Sequence, residues 1–449
     1  MTFAHSAHLE SLAAWVANGE CGSIVGLSNT GKSMLLRAAS SASFCQQYFP
    51  QQNAAFFYVD CNLMLAMSEQ GFYEATLRAV QAEIKQLEAA PTLLEQMENL
   101  YRKIIDPPSA FAAPLSFNES VVALCEQLGR RVIFLLDEFD EPFTRLDGRV
   151  FLNLRALRDR YGPCLCFVTA TEKALPEDRS DNEVNEFNEL FANNTLYLGM
   201  LAENEARQLV NEAARREGVT LDPDEISFVV TQAGGHPGLL STVTNVLLRI
   251  LSSASPPHPL TPSLKLSLAH QFLENETVVR NECSRLWNQL SSPEHDFLLE
   301  VLTQSEPPAI TNAQERILKH GIVTNPRQPS VFSPLFEAFA RRQFRARLPA
   351  QAGIYIDVDS GEVWVDGRRA PILTDLEYRL LLLLYGRLDK ICDKYQVVEA
   401  VWGQDYIDEI DDSRVEKLVS RLRQKLEQDP AKARYFQTVR GRGYRLISG

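Results

Sequence analysis

Read for apolar and polar positions, the chain opens on a helical pattern: Leu9, Leu12, Ala13 and Val16 recur at helical spacing between residues 5 and 18. The two histidines in that stretch, His5 and His8, read as surface residues rather than ligands. Four apolar runs follow, Ser23-Ile24-Val25, Ala54 to Cys61, Val132 to Asp137 and Cys164 to Thr171. Runs this continuous predict strands buried on both faces of a parallel sheet. Helical patterns separate them: Met34 to Ala39, a largely helical stretch through Arg102 that Pro107-Pro108 interrupts, Ser116 to Leu128, and Gly148 to Tyr161. Ser116-Phe117-Asn118-Glu119 has the form of a capping box and is expected to open its helix. Asn194 to Leu201 is a last short strand, and the helical region from Ala202 to Leu251 is broken by Gly234-Gly235-His236-Pro237-Gly238, too rich in glycine to lie inside a helix.

Beyond this the pattern changes. Ser252 to Pro262 is a linker by composition. Leu286, Trp287 and Leu290, a helix starting at Ser292-Pro293-Glu294, Ile317 to Val323 and Phe332 to Phe339 then predict a small helical bundle. A second linker, Leu348 to Gly353, leads into short alternating strands at 354–358, 362–365 and 368–372. The capping box Thr374-Asp375-Leu376-Glu377 precedes a helix through Tyr385. In the helix Ser413 to Glu427, Val415, Leu418, Val419, Leu422 and Leu426 share one face and Arg414, Lys417 and Arg421 the other. A hairpin closes the chain, Tyr435 to Val439 and Tyr444 to Ile447, with Arg440-Gly441-Arg442-Gly443 at its tip.

The expected architecture is multidomain α/β. It comprises a parallel-sheet core over 1–200, a helical lid over 201–252, a linker and middle winged-helix-like domain over 253–347, and a winged helix over 353–449. At 449 residues a division into roughly three domains is what length alone suggests. No run approaches the roughly 18 consecutive apolar residues of a membrane-spanning helix, and the first residues lack the basic and apolar regions of a secretion signal, so the cytoplasm is the expected compartment and no membrane partner is expected. The eight cysteines are scattered without a Cys-x-x-Cys pair, which predicts buried free thiols. A net charge of −13 argues against nucleic acid for the chain as a whole, but Arg414 to Arg445 carries ten Lys/Arg against Glu416, Glu427 and Asp429.

Gly26-Leu27-Ser28-Asn29-Thr30-Gly31-Lys32-Ser33, between a strand and a helix, has the form of a phosphate-binding loop. Its glycines let the backbone curl and turn N–H groups toward anionic oxygens, and the following helix N-terminus favours the same charge. Gly26, Asn29, Thr30, Gly31, Lys32 and Ser33 are therefore candidate ATP/ADP contacts, Lys32 reaching terminal phosphates and the Ser33 hydroxyl completing a Mg2+ shell. Asp137, delivered at the end of a buried strand, is the second candidate metal group, and Glu138 beside it the candidate base that polarises water. Thr169 and Thr171 are alternative sensors of a terminal phosphate, and both are also ordinary strand residues.

Taken together, the loop, Asp137-Glu138, the strand ending at Thr171, the helix start near Glu205 and the Gly-Gly-His-Pro turn resemble the STAND branch of the AAA+ P-loop ATPases over residues 1 to 250. The resemblance implies that His236 and Pro237 approach the nucleotide and help hold a closed ADP-bound form. It also implies that residues 253–347 pack against the nucleotide domain and report its state, a plain structural role being the alternative. Residues 353–449 closely resemble the OmpR/PhoB-type winged helix. That likeness implies that the helix 413–427 enters the major groove of double-stranded DNA, with Arg421 facing bases, Arg423 and Thr438 near phosphates and Arg440 in the minor groove. Arg414, Lys417 and Arg442 complete the basic surface. Leu418 departs from the histidine often found in that family, and no receiver domain precedes the module, so phosphorelay control is not expected. The implied function is transcription regulation in which a slow ATPase switch frees the winged helix or pairs it with a second copy on repeated half-sites. A DNA-targeted ATPase of a defence or mobile-element system is the alternative.

Overall fold

The computed structural model describes residues 5–179, 181–253, 273–303, 312–325, 329–344, 353–357, 362–366, 368–403, 411–427, 429, 432–439 and 441–447. Most of the first linker, nearly all of the second, and Arg440 lie outside these residues. The chain forms two compact units, Met1–Arg342 and Gln343–Gly449.

The first unit is built on five parallel strands: β1 (Gly22–Gly26), β2 (Ala54–Asp60), β3 (Arg131–Asp137), β4 (Leu165–Thr171) and β5 (Thr195–Leu198), in the order β2-β3-β4-β1-β5. The apolar runs are explained by burial on both sides of this sheet. Phe57, Phe134, Leu136 and Phe167 belong to the core on one face, and Phe56, Ile133, Leu135, Cys166 and Val168 to the core on the other. The register pairs Asp60 with Asp137 and Leu136 with Thr169, so the polar ends of β2, β3 and β4 lie side by side. In an open parallel sheet this carboxyl edge is where ligands bind.

One helix start differs from expectation. The helix runs Ala112–Gln127, and Ser116 lies inside it, buried, with its carbonyl accepting the Ser120 hydroxyl at 2.7 Å. Pro114 falls in the first turn, where its missing N–H has no intrahelical partner to lose, so the helix begins ahead of the apparent capping box.

Helices Glu203–Arg216, Pro223–Ala233 and Pro237–Ser253 form the lid. Helices Thr277–Asn288, Ser292–Thr303, Asn312–Lys319 and Pro334–Gln343, with the small hairpin of β6 (Val323–Thr324) and β7 (Ser330–Val331), form the middle region. That hairpin supplies the wing expected of a middle winged-helix-like region. A buried ion pair ties the region together: Arg316 donates to both Glu294 oxygens, at 2.8 and 2.7 Å, and Glu294 also accepts the Ser291 N–H and hydroxyl.

In the second unit, β8 (Ile354–Asp357), β9 (Glu362–Val365) and β10 (Arg368–Arg369) form an antiparallel sheet, and β11 (Phe436–Val439) and β12 (Gly443–Leu446) a hairpin. Helices Asp375–Tyr385, Lys394–Trp402 and Asp412–Leu426 pack between them. The Thr374–Glu377 capping box is present. Glu427 is turned inward, its carboxylate accepting the N–H groups of Arg434, Tyr435 and Phe436 at 2.7–2.9 Å.

Burial pushes the Glu294 carboxyl up, but the Arg316 and Ser291 donors more than offset it, and the group sits below the usual carboxylate range. Its contribution is therefore complete above the unfolded carboxylate value and lost as pH falls through the lower folded one. Glu294→Ala takes from the half-buried Arg316 its carboxylate partner, leaving it the Gln289 carbonyl at 3.1 Å, and should cost about 3 kcal/mol; urea unfolding at pH 7 is the measurement, with the difference from wild type shrinking at acidic pH.

Candidate functional site

The carboxyl edge of the first unit carries a loop leading from β1 into the helix Lys32–Ala39. Asn29 and Gly31 take left-handed backbone angles, φ 57° and 102°, and the Thr30 hydroxyl closes the loop on the Leu27 carbonyl at 2.7 Å. Lys32 is 5% exposed, and its ammonium donates to the carbonyls of Gly26 at 2.7 Å and Leu27 at 3.2 Å. Ser33 is half-buried in the first turn of the helix.

Asp137 ends β3 and is 1% exposed. One carboxylate oxygen accepts the Tyr58 hydroxyl at 2.5 Å, and the other the N–H of Glu138 at 3.1 Å. Behind Tyr58, Arg37 donates to the phenol oxygen at 3.1 Å and lies over the ring. Glu138 has φ 53°, a strained angle for its residue type. Burial pushes its carboxyl up, Lys32 opposes that, and the neighbouring Asp137 and Asp140 reinforce it. Asp140 is pushed up to about 6, again chiefly by burial. Ser33 and Asp137 are hard oxygen donors of the kind magnesium takes. Among the described residues no three carboxylate, imidazole or thiolate groups converge into an all-protein cage. Magnesium commonly keeps waters and phosphate oxygens in its shell, so one hydroxyl and one carboxylate fit it.

The Gly-Gly-His-Pro turn reaches this loop. His236, fully buried, faces the Ser28 carbonyl through Nε2 at 3.2 Å and the Leu239 N–H through Nδ1 at 3.1 Å. That pair of partners assigns the proton to Nε2 of a neutral ring, and burial lowers the imidazole to about 4. Pro237 opens the next helix, and Gly238 N–H donates to the Asn29 carbonyl at 3.2 Å. Gly234 and Gly235 have φ 60° and 82°, and a Cβ on Gly234 would fall 2.0 Å from the Phe332 carbonyl oxygen.

The structure thus brings Gly26, Asn29, Thr30, Gly31, Lys32, Ser33, His236 and Pro237 together, with Asp137 and Glu138 across the edge. The threonines are differently disposed. Thr171 donates its hydroxyl to the Lys173 carbonyl at 2.7 Å, and Thr169 pairs with Ser23 at 3.1 Å, so a phosphate would have to compete for either donor. His5 is not a surface residue: it is 3% exposed, its Nε2 lies 2.9 Å from the Thr30 carbonyl, and it packs edge-on against the half-buried His8. Ser6 beside it donates to Glu205 from the lid. The helical spacing of residues 5–18 marks which face is buried but not that the N-cap folds back on a loop 25 residues away.

Two contacts come from the middle region, and no motif announces them. Gln289 accepts the Ser28 N–H at 2.7 Å and donates to Glu172 at the end of β4. Glu282 accepts the Asn29 amide at 2.8 and 3.0 Å.

In the second unit, Asp411 caps the helix Asp412–Leu426 by accepting the Arg414 N–H at 2.9 Å. Arg414, Lys417 and Arg421 are exposed along one face, opposite the buried Val415, Leu418, Val419, Leu422 and Leu426. Arg423 is half-buried and joins the helix to the hairpin, donating to the Phe436 carbonyl at 2.9 Å and the Thr438 hydroxyl at 2.7 Å. Thr438 and Arg442 are exposed. Arg440 is the candidate that lies outside the described residues.

Residues 3–343, well over half of the chain, match the family model described as Novel STAND NTPase 1. The chain belongs to that family. In this STAND NTPase the C-terminal residues 368–446 match a second model, Transcriptional regulatory protein, C terminal. The uncharacterized transcriptional regulatory protein YrkP of Bacillus subtilis is 39% identical over 91 residues, 20% of this chain and 38% of that protein. The chain thus spans less than half the length of the curated relatives it matches there. Among solved structures, the Walker-type ATPase PABY2304 of Pyrococcus abyssi is similar at 15% identity and TM-score 0.46, covering 76% of this chain and 96% of its own. The Klebsiella pneumoniae RstA DNA-binding domain, solved in complex with the RstA box, is similar at 27% identity and TM-score 0.20, covering 21% and 92%. No helix among the described residues of this STAND NTPase is long and apolar enough to cross a membrane.

Because the His236 imidazole is lowered to about 4 against an ordinary 6.5, the unfolded state binds its proton first as pH falls. Stability present above pH 6.5 is lost progressively toward pH 4. In His236→Gln, whose amide does not titrate, urea unfolding across that window should show a slope shallower by about one proton, roughly 1.4 kcal/mol per pH unit.

Proposed function

We propose that this STAND NTPase is an ATP- and DNA-binding transcription regulator of the cytoplasm, in which nucleotide at the phosphate loop controls the C-terminal winged helix. The observation that carries the reading is the convergence on one loop of hydrogen bonds from three parts of the chain: the N-terminal helix cap, the lid turn and the middle region. A loop held by groups that any bound anion must meet is suited to report its occupancy.

In this reading residues 1–200 are the ATPase core, 201–252 the lid, 253–347 the middle domain and 353–449 the winged helix. Lys32 faces the terminal phosphates, and Gly26, Asn29, Thr30, Gly31, Thr171, His236 and Pro237 line the nucleotide. Ser33 and Asp137 would hold magnesium, which would supply neutralisation of charge on the phosphates. Glu138 orients the attacking water, and its upward shift by burial makes it a better proton acceptor near neutrality. Hydrolysis is slow and resets the switch.

The DNA contacts divide by role. Arg421 reads bases from the exposed helix face in the major groove, flanked by Arg414 and Lys417, while Arg423, Thr438 and Arg442 meet phosphates and Arg440 enters the minor groove. Pairing of two copies on repeated half-sites accompanies ATP binding.

Lys32→Ala should abolish Mg-ATP binding in a calorimetric titration. Glu138→Gln should retain binding, stop hydrolysis and regulate a reporter constitutively; an inactive Glu138→Gln chain would instead mark a hydrolytic DNA machine. Selection of binding sites by the full chain at two salt concentrations should enrich one sequence and weaken steeply with salt. Arg421→Ala should cost about 1–3 kcal/mol and relax one base position, whereas Arg423→Ala should weaken all sequences alike. No enriched sequence would remove the case for a regulator.

A further inference from the structure

Five of the eight free thiols are buried, and the three left half-buried are Cys45, Cys125 and Cys164. Two of those three meet. Cys125 lies in the last turn of the helix Ala112–Gln127, and Cys164 ends the short turn Gly162–Cys164 that leads into β4. The Cys164 thiol donates to the Cys125 carbonyl at 3.8 Å and lies 3.9 Å from the Arg130 carbonyl, and the two thiols are themselves hydrogen-bond partners. Their neighbours hold the two segments together: the Tyr161 hydroxyl donates to Glu126 at 2.8 Å, and Arg160 reaches the same carboxylate at 3.8 Å.

A thiol is a weak donor, so contacts of this length do little to oppose a rotation that turns one sulfur onto the other. The turn itself can give. Gly162 has φ 52° with nothing within 4 Å of where a Cβ would stand, and Pro163 beside it is exposed. The two thiols are not equivalent, because burial first and then Cys164 push the Cys125 thiol up to about 12, which makes it the poorer nucleophile, while Cys164 sits on the exposed turn. Cys166, two residues along, does not offer the same chemistry: it is buried in the core on the opposite face of the sheet from the one Cys125 packs against. Among the described residues no metal-holding cluster of three such groups forms around the pair.

We infer that Cys125 and Cys164 are a redox modification site, joined reversibly into a disulfide by hydrogen peroxide. The Cys164 thiolate attacks the peroxide, the O–O bond breaks, and Cys164 becomes a sulfenic acid while the hydroxide released takes up the thiol proton as water. The Cys125 thiol then displaces the sulfenic hydroxyl, which leaves as a second water, and the S–S bond forms. Across both steps the two thiols lose two electrons and two protons, and one peroxide becomes two waters. In a reducing compartment such a bond is transient, since small thiols return both cysteines to their starting state. It ties the helix that leads into β3 to the turn that opens β4, two adjacent strands, at the end of the sheet away from the phosphate loop.

The test treats the reduced full chain with hydrogen peroxide, blocks the remaining thiols with N-ethylmaleimide and maps the tryptic peptides, without reduction, by mass spectrometry. The peptide that holds Cys125 should appear joined to the one that holds Cys164 and Cys166, lighter than their sum by two hydrogens, and dithiothreitol should part them. Cys166→Ser should keep the link and Cys164→Ser should lose it. In Cys125→Ser the sulfenic acid has no resolving thiol, so dimedone should capture it on Cys164. Thermal melts of the reduced chains check that each variant folds. Folded wild type without the joined peptide, a link that survives Cys164→Ser and disappears in Cys166→Ser, or Cys125→Ser with no dimedone adduct on Cys164 would overturn the inference. A link formed only between two chains, seen as a dimer on a non-reducing gel, would overturn it as well.

Discussion

Lys32 carries a formal charge almost out of water, and a buried charge is tolerated only where fixed partners replace its hydration. Two of those partners are carbonyls of its own loop, which is why the loop curls back over the start of the helix. Further compensation comes from the carboxylates of Glu138 and Asp140, just past the end of β3, whose upward shifts Lys32 opposes. Those carboxylates stand where they do because β4 separates β3 from β1, and that order is fixed by strands buried on both faces. The apolar packing of the sheet and the electrostatics of its edge are therefore one arrangement, since neither face can be rebuilt without moving a charge that Lys32 needs.

How much of this the sequence discloses depends on how local each feature is. The loop is eight consecutive residues between two patterned elements, and it forms as its pattern implies, as do the buried strands and the helix Gly148–Tyr161. Local pattern misleads at Ser116, where a capping signature competes with Pro114 two residues earlier and the proline sets the start. At His5 the helix periodicity is right and the surface assignment wrong, because burial there comes from the loop folding over the N-cap, a tertiary event. Tyr58 lies on a strand whose apolar character hides that its hydroxyl orients Asp137. Glu282 and Gln289 lie 253 and 261 residues from their partners in an unremarkable amphipathic helix and its end, and no spacing rule points to them.

Charge counting has a similar limit in the second unit. Glu427 is one of the three acids that offset the basic segment in the sequence, but its carboxylate is turned inward onto three backbone N–H groups at the base of the hairpin. It shapes the wing rather than the outer field. Arg423 behaves in the opposite way: counted as a free cation, it is partly engaged in joining helix to hairpin. Among the described residues of that segment, Arg414, Lys417 and Arg421 are exposed on one helix whose apolar side fixes their direction, and Lys432, Arg434 and Arg442 are exposed beyond it.

The missing side chain at Gly234 has a mechanical consequence. The backbone of the lid turn lies so near the Phe332 carbonyl that not even a methyl group fits between them, and Ser333 next to it donates its hydroxyl to the Gln232 carbonyl at 2.6 Å. Lid turn and wing are therefore meshed like two teeth of a gear, with no slack to absorb a small displacement. Two residues along the same turn His236 touches the loop at Ser28, so a shift at one end of this train is felt at the other without a long-range conduit.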